Sequence, residues 1–413
     1  MSNYEARRKR MTDAAALKEP DRVPIMPILQ CYPVFHAGHT MKDVLYDFEK
    51  GAEAFKSFAR EYEPDAMMGQ TWIYMGCGPM FELMKPKTLT WAGAPGTAIS
   101  ENSIHQFIEF PVLLEEDFDY FGRDFSGWLV EKGLPATNGL LEPFKNLGLS
   151  RMSPSMEIST LASAFSTPEM REVIETLWKI SDMKQELNVK QAKLDSDLEE
   201  AGFPVLHQGF GMVPFDAYSD YYRGTIETMM DLFEYPDVIT SYCETELEHT
   251  LDFIRMQGSF LKEKWVFMPL HKGMDKFLSG DHYRKYYWRD LQAIIEEIIK
   301  QGMTPYIYTE GKYDSRLECL KEVTKGKVVY HFEICDMINA KKVLGDTACI
   351  SGGFPTILLD YGTKQQVIDE CKRLIDGCAA GGGYIFETAH GFDHSKPENV
   401  EAMFDTVKTY GKK

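Results

Sequence analysis

This chain is poor in positive charge. Its 45 Lys and Arg stand against 63 Asp and Glu, a formal net charge of −18. That balance argues against a nucleic-acid partner, because phosphate backbones are held by basic surfaces. No run of about 18 apolar residues is present, so no membrane span is expected. Arg7-Arg8-Lys9-Arg10 is not followed by an apolar segment, so no secretory leader is expected. The four residues read instead as the solvated face of a first helix. The eight cysteines (Cys31, Cys77, Cys243, Cys319, Cys335, Cys349, Cys371, Cys378) include no C-x-x-C pair. This spacing suits neither a disulfide framework nor a zinc ribbon, and a reducing cytoplasm is the expected location. Gly209-Phe210-Gly211 and Gly381-Gly382-Gly383 lack the G-x-G-x-x-G spacing of a dinucleotide site. The triple glycine reads as the end of a helix turning into a last strand.

No internal repeat, low-complexity tract or linker divides the 413 residues. An apolar fraction of 44% supports a sizeable core. The second half alternates strand and helix. Strands are predicted at 265–270, 305–308, 328–332, 348–351 and 384–388. Helices are predicted at 286–301, 314–324, 340–344, 363–378 and 397–410, on apolar stripes such as Leu291, Ile294, Ile295, Ile298 and Ile299. Such alternation with short connections implies parallel strands and right-handed crossovers. Several units in series favour a closed α/β barrel over an open sheet, a choice that alternation alone leaves open. The first half is noisier. A first strand is expected at 23–29 and a helix at 53–62. The charged, helical stretch 168–200 reads as a surface excursion.

In such a barrel the C-terminal strand ends build the active site. Two of them carry chemistry: Tyr308-Thr309-Glu310-Gly311, and Thr388-Ala389-His390-Gly391 some 80 residues later. His271 follows the strand 265–270. His331 and Glu333 lie two apart on another, and so share a face. Tyr32, Phe35, His36, Trp72, Tyr74, Met75, Phe210 and Met212 are candidates for a flat apolar substrate pocket. Each signal has a plainer reading: Glu310 as a helix-starting acid, His390 as a loop histidine, the aromatics as core packing.

Leu17-Lys18-Glu19-Pro20-Asp21-Arg22-Val23-Pro24 resembles the entry segment of the uroporphyrinogen decarboxylase superfamily. So do Gly352-Gly353 after a strand, and Gly381-Gly382-Gly383-Tyr384-Ile385 followed by Lys396-Pro397-Glu398-Asn399-Val400. The likeness covers most of the chain, with 115–200 as an excursion within it. It implies a single distorted (β/α)8 barrel over 1–413, present as a monomer or homodimer. It also implies one of two chemistries: porphyrinogen decarboxylation or corrinoid-dependent methyl transfer.

The decarboxylase branch holds substrate carboxylates with arginines near the first strand, and no arginine stands between Arg22 and Arg60 here. The thiol-activating methyltransferases carry His-x-Cys-Gly and a later Cys as zinc ligands. Here Tyr308, Glu310 and His390 occupy the positions of the His and the two Cys. Hard residues in place of thiolates point away from thiol activation and toward helping an oxygen leave. The resemblance therefore implies O-demethylation: a methyl group passes from a small methoxylated, aromatic donor to the Co(I) corrinoid (cobalamin) of a small partner protein. Asp-x-His-x-x-Gly is absent, so the corrinoid is expected on that partner. Glu310 and His390 are expected as acid and companion or as zinc ligands, supported by His271, Glu333, His331 and Tyr308. A methylamine-type donor, porphyrinogen decarboxylation and a non-catalytic tetrapyrrole-binding protein are the alternatives.

Overall fold

The computed structural model describes residues 2–69, 73–148 and 158–412. Ten strands appear in chain order: β1 (Met67–Met68), β2 (Leu89–Thr90), β3 (Gln106–Phe107), β4 (Val205–Leu206) and β5 (Gly209–Phe210), then β6 (Trp265–Leu270), β7 (Thr304–Lys312), β8 (Val329–Ile334), β9 (Cys349–Gly352) and β10 (Tyr384–Ile385). Strands β5 to β10 form one parallel sheet in sequential order, with β6, β7 and β8 in longest register. Strand β1 pairs in parallel with β4, and β2 with β3 forms a small antiparallel ribbon. The fold is α/β with parallel strands, as the alternation predicts.

The two parallel sheets are joined by backbone. Strand β4 runs on into β5 through His207 and Gln208, changing neighbour from β1 to β6 on the way. At the other edge, Met26 N donates to Phe386 O at 3.1 Å and Phe386 N to Pro24 O at 2.8 Å, while Asp65 N donates to Ile25 O at 2.8 Å. The expected first strand, 23–29, is therefore reduced to bridges at Ile25 and Leu29. Pro24 and Pro27 explain this, because proline cannot donate to a ladder.

Alternation along the strands separates two cores. Met26, Ile28, Ala66, Met68, Leu206, Trp265, Tyr306, Val329, Cys349 and Ile385 pack together, with Phe267 and Tyr308 against them. Their sequence neighbours, such as Ile25, Met67, Val205, Val266, Ile307, Tyr330 and Ile350, face the larger core shared with the helices. A hydrophobic contribution of roughly 1.5–3 kcal/mol per fully buried large side chain holds both layers.

Helices largely follow the predicted stripes. The helix Lys364–Cys378 starts at a capping box between Thr363 and Gln366, and Pro397–Tyr410 matches the expected span. The predicted helix at 314–324 is shorter: turns at Asp314–Arg316 and Leu317–Leu320. The stretch expected as a surface excursion contains one 33-residue helix, Pro168–Glu200. It does not merely decorate the surface: Gln191, Asp195 and Ser196 on one of its faces line the central cavity. No helix among the described residues is long and apolar enough to cross a membrane.

The first helix, Asn3–Ala15, is amphipathic in charge rather than free at its basic face. Arg7 donates to Gly202 O at 2.8 Å, Arg8 to Glu263 at 2.9 Å, and Arg10 to Asp21 and Asp65. The solvated-face expectation is thus corrected for Arg7, Arg8 and Arg10, which are tied to the body, while Lys9 is exposed and pairs with Asp13 of its own helix. Asp65 is fully buried and also accepts from Arg22 (2.7 and 2.8 Å) and from Ile25 N (2.9 Å). It ties the first helix and the 22–26 segment to β1. Asp65→Ala strands two arginines and a backbone donor, and the expected loss is about 3–5 kcal/mol. Urea denaturation of the variant checks this, and an unchanged midpoint would refute it.

Candidate functional site

Past the C-terminal ends of β6, β7 and β8 lies a cavity of about 1010 Å³. A break in the β7 ladder builds its reactive wall. Register with β8 shifts between Thr309 and Lys312, a bulge centred on Glu310-Gly311. Gly311 sits at φ +78°, the left-handed region that glycine enters without cost, and its N–H donates to the Glu333 carboxylate. The bulge therefore places Glu310 beside Glu333.

His271, the first residue after β6, lies opposite. Its Nε2 is 3.6 Å from Glu310 Oε1, and its Nδ1 is hydrogen-bonded to Asp220. Asp220 also meets Lys272 Nζ at 3.0 Å. Asp216, fully buried, fixes the turn: it accepts from His271 N (3.0 Å), Lys272 N (2.8 Å) and the Tyr287 hydroxyl (2.6 Å). Burial lifts the Asp216 carboxyl to about 6, against the pull of His271. Burial also works to lower the His271 imidazole, but the Asp220 hydrogen bond and the charges of Asp216 and Glu310 outweigh it and raise the ring to about 9. Glu310 is pushed up by burial and by the charges of Glu333, Asp216 and Asp220, with His271 pulling the other way. The result is an imidazolium among carboxylates, a store of one proton at the cavity wall.

Most of the predicted strand-end residues converge here. Tyr308, Glu310, His271, Glu333 and His390 all line the cavity, with Tyr74, Phe210 and Met212 from the pocket set. The expected partnership of Glu310 with His390 is corrected. Glu310 pairs with His271, while His390 is held by the Thr356 hydroxyl, 2.8 Å from Nε2. No group of three or more His, Cys, Asp or Glu side chains converges as a metal set among the described residues. The chemistry below takes no step through a metal.

His331 does not line the cavity. It is fully buried between Glu387 (Nδ1 to Oε2, 2.6 Å) and Ala389 O (3.0 Å), and its ring stacks on the cavity-lining Tyr308 at 4.5 Å. The aromatic first-strand residues are also corrected. Tyr32, Phe35 and His36 form a short helix, Tyr32–His36, packed on the helix Phe48–Tyr62. Tyr32 bonds the Tyr62 hydroxyl at 2.9 Å, Phe35 stacks on His394 at 4.3 Å, and His36 pairs with Glu61 at 3.0 Å. Met75 is buried core. Trp72 lies outside the described residues.

Four groups escaped the sequence reading: Asp216 and Asp220, which come from the helical turns after β5, and His105 and His207 on the cavity wall. The Asp-x-x-x-Asp spacing one helical turn apart is the only sequence signal for the first two.

Residues 141–410 match the family model described as uroporphyrinogen decarboxylase (URO-D). The chain belongs to this family. It is similar to the uroporphyrinogen decarboxylase of Neisseria gonorrhoeae, 30% identical over 184 residues, 44% of this chain and 51% of that protein. It is also similar to that of Azoarcus sp., 26% identical over 142 residues, 33% of this chain and 38% of that protein. The chain thus spans about half the length, or less, of these curated relatives. A methyltransferase from Methanosarcina mazei shares the fold, with a TM-score of 0.61, 99% of both chains covered and 13% identity.

The raised pKa of His271 has a sign that can be checked. A folded-state value near 9 against about 6.5 unfolded means stability that is fully present below about 6.5 and lost as pH rises through about 9. His271→Gln is therefore expected to destabilise most at pH 6 and least at pH 10, measured by urea titration at each pH. A pH-independent difference would contradict the proton store.

Proposed function

We propose that this chain is a corrinoid-dependent methyltransferase on a closed, distorted (β/α)8 barrel, taking a methyl group from a small methoxylated aromatic compound. The hydrogen bonds from 384–386 through 24–26 and 65–69 to 204–206 support the closure, since they link the two edges of the parallel sheets. One observation carries the choice of chemistry. The cavity is walled by Tyr74, Phe107, Phe210, Tyr221, Phe267 and Tyr308, contains the His271–Glu310 proton store, and among its described lining residues has no arginine. Its one lysine, Lys262, is tied to Glu199. A porphyrinogen carrying a ring of carboxylates has no cationic partners there, and buried anions without partners are costly. Arg22, the arginine nearest the first strand, is spent on Asp65.

A neutral arene suits the aromatic walls. The reduced corrinoid, brought by a partner protein, supplies the nucleophile for the methyl group. The chain supplies the proton. As the O–CH3 bond breaks, its electron pair stays on the aryl oxygen, and the His271–Glu310 pair delivers a proton to that oxygen, so a neutral phenol leaves. Asp220 holds Nδ1 and leaves Nε2 facing the cavity side. Exposed Ile334 at the end of β8, and Ile357 and Tyr361 beyond β9, offer an apolar rim on the strand-end side for the partner.

A second reading rests on the same walls. Aromatic rings with Glu310, Glu333 and Asp195 nearby also suit a methylated ammonium donor, through cation–π contact and charge.

The test is turnover with a reduced corrinoid protein and a panel of methoxyarenes and methylammonium compounds, read as released phenol or amine by chromatography. Phenol release is expected, falling about 10²-fold or more in Glu310→Gln and His271→Gln and declining in the wild type as pH rises through about 9. Amine release alone would select the second reading. Turnover of a porphyrinogen and of no methyl donor would overturn both.

A further inference from the structure

His207 stands where the chain changes partners. Leu206 still pairs with β1 and Gly209 already pairs with β6. The switch is made by His207 itself at φ +60°, a left-handed conformation uncommon outside glycine, though histidine enters it more readily than most side chains. Gly209, two residues on, makes no such turn. A histidine thus occupies the strained position although a glycine or asparagine would suit it better.

The ring of this histidine is also polar without compensation. Both nitrogens are shut off from solvent, and neither has a hydrogen-bond partner. Its neighbours are aromatic: Tyr306 at 4.0 Å, Phe267 at 5.8 Å and Trp265 at 5.9 Å. Yet the residue lines the main cavity and keeps part of its surface open to it. Strain and an unsatisfied buried polar ring at one residue are two costs that packing alone does not require.

The depth of His207 defines what it meets. It contacts Tyr306, which stands four residues before Glu310 on β7, about 13 Å along the strand at ~3.3 Å per residue. Both His207 and the His271–Glu310 pair line the same cavity.

We propose that His207 is a specificity-determining residue that hydrogen-bonds a neutral hydroxyl or carbonyl group on the far side of the substrate's ring from its methoxy group. This rests on the methoxyarene reading above. A turn about χ2, a broad torsion for imidazole, presents a ring nitrogen to the cavity. Burial pushes the ring down to about 3, with the neighbouring His331 adding to the effect. The imidazole is therefore neutral at physiological pH, with one donor and one acceptor nitrogen. It matches a phenol or an aldehyde and gives no charge to a carboxylate. The substrate class is narrowed accordingly, to methoxyarenes bearing a neutral hydrogen-bonding group, with methoxybenzoates disfavoured.

Binding without the corrinoid protein tests this, by calorimetry with 4-methoxyphenol, anisole and 4-methoxybenzoate as probes. Wild-type protein is expected to bind 4-methoxyphenol about tenfold more tightly than anisole, the worth of one net hydrogen bond, and 4-methoxybenzoate no better than anisole. In His207→Leu the preference for the phenol is expected to vanish while anisole affinity stays the same. His207→Asn, which tolerates the left-handed backbone and keeps a polar amide, guards against a folding defect and is expected to retain part of the preference. His207→Gly is expected to melt no lower than wild type, because the strain is relieved. An equal preference in folded His207→Leu or His207→Gly overturns the inference, as does a wild type that favours the benzoate. Phenol preference without any turnover would overturn the methyltransferase reading and leave His207 as a ligand-binding residue. Turnover with no His207 dependence would do the reverse.

Discussion

A carboxylate with no route to solvent underlies the cavity. Glu387, fully buried past the end of β10, accepts from Tyr306 on β7 at 2.7 Å and holds His331 on β8 at 2.6 Å. Three strands that meet only pairwise along their backbones are thereby tied across the interior. The consequence propagates upward. His331, fixed between Glu387 and Ala389 O, offers a flat face on which Tyr308 stacks within 6° of parallel. Tyr308 in turn stands just before the register shift in β7 that carries Glu310. A buried hydrogen-bonded cluster of this kind fixes geometry more than it adds stability. Its effect here is positional, since it gives the cavity a rigid polar floor.

The same logic explains which parts of the molecule could be read from the chain. Strands β6 to β10 were legible because each is an apolar run closed by glycine, proline or a charged residue. Glu310, His271, Glu333 and His390 were legible because strand ends on one face converge whatever the loops do. The pairings among them were not. Choosing His271 over His390 as the partner of Glu310 depends on Asp216 and Asp220, which lie some 50 residues upstream of His271 and on a different strand's loop. The polar stripe on the helix Pro168–Glu200 looked solvated for a similar reason: a charged face turned to a wet cavity and one turned to bulk water have the same pattern.

The first-strand aromatics failed for a different physical reason. Tyr32, Phe35 and His36 sit at positions where an apolar strand end would line the cavity. Pro33 instead starts a helix there, and Asp393 fixes its entry through Cys31 N at 2.8 Å. Composition marks such a segment as apolar, but neither composition nor periodicity tells a cavity lining from a helix packed on its neighbour. Likewise His207 gave no sign in sequence, because its significance lies in a backbone angle and a change of strand partner.

Charge sorts the possible chemistries of the cavity. Glu310, Asp216 and Asp220 crowd around one imidazole, and each makes it harder for that imidazole to lose its proton. An arrangement of this sign repels a polyanionic substrate and favours a neutral or cationic one. It also keeps the His271 imidazole protonated above neutral pH. Decarboxylation places the opposite demand, cations to hold the carboxylates that remain, and the arginines that could meet it are engaged elsewhere. Arg10 and Arg22 hold Asp65, and Arg223 holds Asp231 at 2.7 Å. The guanidinium groups named here are engaged in the frame, while the described lining of the cavity carries acids and no arginine.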